Sequence, residues 1–343
     1  FNLFTFGLTA HGIMLRVMNS YGIKLQPYSN DYKTLYLDNF KYDFDCLHIL
    51  MLNPNDFIKS YKYIKLLPDI TTIFLIRDPI KKIKTGLNHG GYKKKCKSYD
   101  IIDSIVPISK ILDRVEYPYH KNLTIGHMLN FWLNNGVWYY DSIVKNIKSE
   151  IYYLDVEKLM PNNILELLNV LKLRFNLKEI KNTEILQKIV VGKYRYILPI
   201  IISFSFNCME IKVYIELKDR ITSNNINLDK IINLDHKLLQ DISFSVNKSD
   251  FVKLNNVFLE KIQKFQEVFL DILEQKIIEL EGKKWTEKDI LDELKNNKTA
   301  REKLYRILYK ELDHIKQHRP DIVASWKYYQ EFEKICEELD KKE

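Results

Sequence analysis

No glycine-rich phosphate loop can be read in this sequence: G-x-x-x-x-G-K-[ST], G-x-G-x-x-G and G-x-S-x-G are all missing. Glycine is scarce, 10 residues in 343, and proline contributes 9, which excludes a collagen-like chain. The four cysteines (Cys46, Cys96, Cys208, Cys336) stand far apart, with no C-x-x-C pair. They read as reduced thiols of a cytosolic protein. Histidines and carboxylates show no ligand spacing either, so no metal is expected. The longest apolar run, "YILPIIISF" at 196–204, contains Pro199. It is less than half of the ~20 residues that a membrane-spanning helix needs. No repeat and no signal peptide is visible. Phe1 opens inside a strand-like run, which reads as a fragment from which an upstream part has been removed.

What is present suits a folded chain. With 46% hydrophobic and 29% charged residues, it can bury a sizeable core as one large or two ordinary domains. The net charge of +8 is modest and suits an anionic substrate or a membrane surface as well as nucleic acid. Lys, Asn and Ile abound throughout, so the charge is discounted as evidence of a partner. The aromatics read as core rather than as a stacking platform, so no nucleic acid is expected.

Short apolar strands alternate with helical stretches through residues 1–180, at "FNLFTF" (1–6), "DCLHILML" (45–52), "ITTIFLI" (70–76) and "EIYYLDVEKL" (150–159). That alternation predicts an α/β fold with a largely parallel sheet flanked by helices. The aromatic stretch 125–147 reads as one long amphipathic helix, and 163–175 as another. "KYRYILPIIISFSF" and "EIKVYIELK" predict a β-hairpin insert, and helical periodicity dominates from about 228. Residues 251–282 read as one helix closed by Gly282, Thr286 as the N-cap of the next, and Pro320 as a break between the last two. The expected division is an α/β core over 1–185, a hairpin insert over 186–225 and a helical region over 226–343 packing on the core.

The stretch "TTIFLIRDPIKKIKTGLNHGGYKKK" (71–95) carries the first chemical signal. Ligands of parallel α/β sheets bind beyond the carboxyl ends of the strands, and Arg77 falls there. A guanidinium at that place can grip a phosphate through paired hydrogen bonds. Asp78 can cap the following helix and Pro79 suits its first position. Thr85, eight residues on, falls on the same helical face as Arg77. Gly86, Gly90 and Gly91, followed by Lys93, Lys94 and Lys95, read as a flexible cationic lid. The plainer reading keeps Arg77 as an ion-pair partner of a nearby acid, Thr85 as a surface hydroxyl and the lysines as a solvated loop.

In these residues the sequence resembles the sulfotransferase superfamily, whose members carry a strand ending in arginine, often as "RDP", with a serine eight residues later. "FLIRDPIKKIKTG" supplies Arg77 and, with threonine for serine, Thr85. "IYYLDVEKLMPNNILELLNVLKLRFNL" (151–177) is similar to the family's late strand and E-x-L turn, with Glu157 and Leu159 in the named places. The resemblance spans about residues 1–180. It implies that Arg77 and Thr85 hold the 3'-phosphate of PAPS, the sulfuryl donor, or a phosphate of another nucleotide donor. The family's P-K-x-G-T loop is replaced here by "FGLTAHGIML" (6–15), with Gly12 in the glycine's place, Ala10 in the lysine's and Ile13 in the threonine's. Backbone amides of Gly7, Leu8, Thr9, Ala10 and Gly12 can still cradle a phosphate at a helix N-terminus. The stretch "HIKQHRPDIVASWKYYQEFEKICEEL" (314–339) resembles the end of a bacterial capsule-locus family labelled as sugar transferases. Some of its members are associated with decorating capsular sugars, including phosphoramidate transfer.

The two resemblances imply a transferase moving a sulfuryl or related group from a nucleotide to a sugar hydroxyl of a surface polysaccharide. It would work in the cytoplasm or at the inner face of a membrane. Other readings are phosphoryl, phosphoramidate or glycosyl transfer from a nucleotide diphosphate, or a non-catalytic binding module in capsule assembly. His11, in the first loop, is the first choice for the base, and His89 the second. The plain alternative has His11 merely capping the first helix. Lys93 and Lys94 would reach the donor from the lid. His48 and His127 read as core histidines, Glu157 as a structural residue holding its turn, and Trp132, Trp138, Tyr139 and Tyr140 as core. Trp326, Tyr328 and Tyr329 sit on helices that read as a packing face, or as a dock for a partner or a lipid-linked acceptor.

Overall fold

The computed structural model of the chain describes residues 2–6, 11–24, 45, 47–51, 71–88, 97–102, 112, 123–136, 138, 141, 144–180, 183, 186, 194, 197–206, 209–218 and 221–340. It divides into two compact units. The first combines residues 1–89, 123–189 and 285–343, and the second combines 90–122 and 190–284.

The first unit is built on four parallel strands, β1 (Asn2–Phe6), β2 (Leu47–Met51), β3 (Thr72–Ile76) and β5 (Ile151–Asp155), in the order β2-β1-β3-β5. Strand β4 (Lys97–Ile102) belongs to the second unit. The sequence TIFLI buries every residue of β3, as a continuous apolar strand with covered faces should. Leaving β1, the chain goes to β2 on one side and then crosses to β3 on the other. The order therefore reverses between β1 and β3, and the crevice beyond their carboxyl ends is the switch point where open α/β sheets take ligands. Helix α1 (His11–Ser20) follows β1, and helix α2 (Pro79–Leu87) follows β3.

Two apolar cores cover this sheet. Leu3, Ile73, Leu75 and Leu154 pack with α1 and with α4 (Ile164–Phe175), which follows α3 (Ile125–Asn135) in the chain. Phe74, Ile76 and Tyr153, from the same strands, pack with α2, α3 and the C-terminal helices. This is the alternation that period-two side chains impose on a strand with two covered faces.

Helix α3 ends at Asn135, with Gly136 as its cap, rather than running to 147 as periodicity predicts. The backbone turns extended at Gly136, where a Cβ would stand 2.7 Å from Trp132 O, and Trp138 meets Trp132 edge-on at 4.7 Å. Gly86, read as part of a flexible lid, lies instead in the last turn of α2. A Cβ built there would sit 2.0 Å from Trp132 Nε1. Glycine is required at 86 because an indole lies against the helix backbone. Gly86→Ala is expected to cost about 1–3 kcal/mol despite alanine's better helix propensity. Adding Trp132→Leu should recover part of that loss, and urea denaturation of the single and double variants measures the coupling.

The second unit carries a five-stranded sheet in the order β4-β6-β7-β9-β8, from β4, β6 (Ile200–Phe206), β7 (Met209–Leu217), β8 (Asn225–Asn227) and β9 (Ile242–Asn247). Strands β4 and β6 are parallel, and the other pairs are antiparallel. The expected hairpin is the β6–β7 pair, but it is the middle of a sheet rather than an isolated insert. Helix α5 (Asn256–Gly282) lays Phe258, Ile262, Phe265 and Phe269 on that sheet against Phe204 and Phe244. The units thus differ from the expected boundaries: α5 belongs with the hairpin, and residues from 285 onward belong with the first unit.

The C-terminal helices of the first unit are α6 (Glu287–Asn296), α7 (Lys298–Glu311), α8 (Asp313–His318), α9 (Pro320–Ser325) and α10 (Lys327–Asp340). Thr286 caps α6 in a reciprocal capping box with Asp289, and Pro320 opens α9 at its first position, as the sequence suggests. Among the described residues no helix is long and apolar enough to cross a membrane.

Candidate functional site

Arg77 leaves the end of β3 and Asp78 starts α2. Asp78 Oδ1 accepts from the backbone N–H of Ile80 at 2.9 Å and of Lys81 at 3.4 Å. Its second oxygen, Oδ2, accepts from the N–H groups of Tyr328 at 3.1 Å and Tyr329 at 3.4 Å, in the first turn of α10. One carboxylate therefore caps two helices and ties the C-terminal helix to the strand end. Asp78 is 1% exposed; burial pushes its carboxyl above the usual range, against the downward pull of those four N–H groups.

The expected pair comes together. Arg77 Nη1 donates to Thr85 Oγ1 at 2.8 Å, and the threonine hydroxyl donates in turn to Lys81 O at 3.0 Å. Two ion pairs flank the arginine, Lys81–Glu157 at 2.9 Å and Lys84–Glu287 at 2.7 Å. Burial pulls the Arg77 guanidinium below its ordinary value, while Glu157, Glu287, Asp78 and Asp155 favour its charge. Arg77 is thus held by its neighbours with its cation intact, pointing a guanidinium and a hydroxyl along one helical face. An oxyanion can bridge such groups once the threonine hydroxyl turns its one proton away from Lys81 O.

On the adjoining, inward-turned side of α2 lies Lys82, 1% exposed, with Nζ 5.6 Å from the centre of the Trp138 ring. Burial pulls its ammonium down to about 7, Glu311 acting upward and Arg77 downward. Sequence reading missed this residue, because a lysine inside "KKIK" looks solvated. Asn88 ends the helix and exchanges two hydrogen bonds with the backbone of Trp285, at 2.8 Å and 3.0 Å.

Strand β5, beside β3, ends in a second anchor. Asp155 Oδ1 accepts from Glu157 N–H at 2.9 Å, and Oδ2 accepts from Trp326 Nε1 at 2.7 Å. Burial again pushes this carboxyl up. Trp326 is 2% exposed, so it fastens the C-terminal segment instead of offering a dock. In the turn after β5, Glu157 pairs with Lys81 of α2 and Leu159 is fully buried.

The remaining expectations fall unevenly. His11 opens α1 at the switch point by topology, and Gly12 follows it, with no other described part of the chain within 4 Å of where a Cβ would stand. The side chain of His11 lies outside the described residues, as do Gly7, Leu8, Thr9, Ala10, His89, Gly90, Gly91, Lys93, Lys94, Tyr139, Tyr140 and the His48 side chain. His127 is exposed rather than packed, its Nδ1 2.8 Å from the Thr124 hydroxyl at the start of α3. Among the described residues no group of three or more His, Cys, Asp or Glu side chains is placed to hold a metal ion.

Next to the Arg77 pair lies a cavity of about 470 Å³, between β5, α4 and residues 319–327. Asp78 and Lys81 line it, so it begins within one turn of α2 from the arginine grip.

These features define the class: an α/β protein whose first unit places an arginine–threonine pair at the carboxyl ends of a parallel sheet. The model of a family described as a protein of unknown function, DUF2972, matches residues 153–339, more than half of the chain, and the chain belongs to that family. The matched stretch runs from β5 to α10 and includes Asp155, Glu157, Arg319 and Trp326, while Arg77 and Thr85 precede it. No curated protein and no solved structure matches the chain significantly.

Proposed function

We propose that the protein is a group transferase that holds a nucleotide donor by a phosphate at Arg77 and Thr85 and passes a sulfuryl or phosphoryl-type group to a sugar hydroxyl. The observation that carries this reading is the 2.8 Å bond from Arg77 Nη1 to Thr85 Oγ1, set at the carboxyl end of β3 beside the switch point. A phosphate oxygen arriving there meets a fixed cation and a hydroxyl, in the arrangement that the sulfotransferase-like motif implies. The 7–12 loop would cradle the phosphate near the scissile bond. His11, at the start of α1, would take the acceptor proton. A surface-polysaccharide acceptor would put the work in the cytoplasm, at the inner face of a membrane.

Ala10, standing where the related loop carries lysine, favours two further readings. One is a donor other than PAPS, for phosphoramidate, phosphoryl or glycosyl transfer. The other is a binding module without catalysis.

A thermal-shift series with PAPS, adenosine 3',5'-bisphosphate, CDP, UDP and GDP separates them, because ligands that bind the native state raise its melting temperature. A rise with the bisphosphate selects sulfuryl transfer, and a rise with a diphosphate alone selects phosphoryl-type or glycosyl transfer. No rise with any nucleotide removes the donor reading.

A further inference from the structure

The cavity beside β5 has a geometry that selects its ligand. Residues 152–155 all line it. Alternate side chains of a strand point to opposite faces, so four consecutive residues share a cavity only along the strand's lateral edge. Among the described residues strand β5 is the last in its sheet. Thr72 N–H donates to Glu150 O at 2.8 Å, so even-numbered residues of β5 turn their backbone groups toward β3. Odd-numbered ones, Tyr153 among them, face the cavity.

An edge of this kind commonly accepts an added strand. Here that use is blocked. Arg319 Nη1 donates to Tyr153 O at 3.3 Å, and Asp321 holds the same guanidinium through two bonds of 2.9 Å and 2.7 Å. The carbonyl that an incoming strand would need is capped.

Charge excludes a second class. The lining carries four cationic and five acidic side chains. Lys81 pairs with Glu157, Lys158 with Glu166 and Arg319 with Asp321. Lys327 remains, against Asp78 and Asp155, whose oxygens already accept from backbone and indole N–H groups. A cavity so matched gives an anion no net attraction. It offers planar carboxylates, a guanidinium, and the Asn163 and Ser325 side chains to a ligand that both donates and accepts. Its apolar wall of Leu167, Val170, Ile322 and Trp326 suits C–H faces. The volume lies within the range of sites that enclose a small ligand.

We propose that this cavity is the subsite for a neutral, polyhydroxylated sugar, the acceptor side of the transfer. The acceptor role rests on the donor site at Arg77 and Thr85; sugar binding itself does not. Glu166, Asp321 and Asn163 orient the ring by paired hydrogen bonds to neighbouring hydroxyls. Lys81, whose carbonyl receives the Thr85 hydroxyl, joins the two subsites along one helix.

Saturation-transfer NMR with a panel of neutral methyl glycosides tests it on the full chain. Wild type and Arg77→Ala are expected to give ring-proton signals of similar strength. Val170→Trp, made at a residue 40% exposed, should fill the cavity and cut the signal at least fivefold. Asp321→Ala is the second variant, should tryptophan disturb the fold as read by circular dichroism. No signal from any glycoside with wild type, or a signal that survives both variants, overturns the proposal. So does displacement of the glycoside by an extended peptide, which would assign the edge to strand addition. Nucleotide melting shifts recorded on the same samples report separately on the donor site. Sugar binding without any nucleotide shift would remove the transferase reading and leave the sugar site standing.

Discussion

Asp78→Ala is expected to remove about 3–5 kcal/mol of stability, a large share of the 5–15 kcal/mol typical of a folded chain. The loss comes from two helix N-termini at once. Four N–H groups, of Ile80, Lys81, Tyr328 and Tyr329, lose their acceptor together, two of them in α2 and two in α10. A helix cap is worth about 1 kcal/mol at an exposed end. Here the carboxylate is 1% exposed, so water cannot simply take its place. Asp78→Asn keeps one acceptor oxygen but turns an amide N–H₂ toward the second helix, so about half of the loss should remain. Urea denaturation measures both: the midpoint should fall with an unchanged slope. An alanine variant within about 1 kcal/mol of wild type would show that α10 is not held by this carboxylate.

The second large effect is a dependence on pH carried by Lys82. Burial lowers its ammonium from 10.5 to about 7. Between those values the unfolded chain holds a proton that the folded chain has released, so stability rises with pH. Each pH unit in that window adds about 1.4 kcal/mol, or about 2–3 kcal/mol from pH 7 to pH 9. Below pH 7 both states are protonated and the dependence from this group ends. Lys82→Met keeps the length of the side chain and removes the proton. The difference in denaturation midpoint between wild type and variant should therefore narrow from pH 7 to pH 9, the methionine variant being the more stable at pH 7. Parallel curves would mean that Lys82 keeps its charge in the folded chain, paired with Glu311.

The arginine grip was legible because it is local. A strand, an arginine, an acid, a proline and a threonine eight residues on fix their own geometry through the strand end and two helical turns. The Thr286 cap was legible for the same reason. Trp326 was not: its partner Asp155 lies 171 residues away, and an indole in "ASWKYY" carries no mark of that pairing. Strand β9, "ISFSVN", alternates apolar and polar residues, but it stands amid long helical periodicities and its partner β7 is reached only through the fold. Lys82 follows the same rule. Only the packing of Trp138 and of α3, α6 and α10 against α2 takes it out of water.

Calorimetric titration of a nucleotide that stabilises the wild-type chain, repeated on Arg77→Ala, tests the donor site most directly. If the guanidinium and the Thr85 hydroxyl hold a donor phosphate, the charged bonds lost should weaken binding by about 1.5–3 kcal/mol or more, a factor of ten to a hundred or greater. An Arg77→Ala chain that is folded and binds the same nucleotide with unchanged affinity would contradict it.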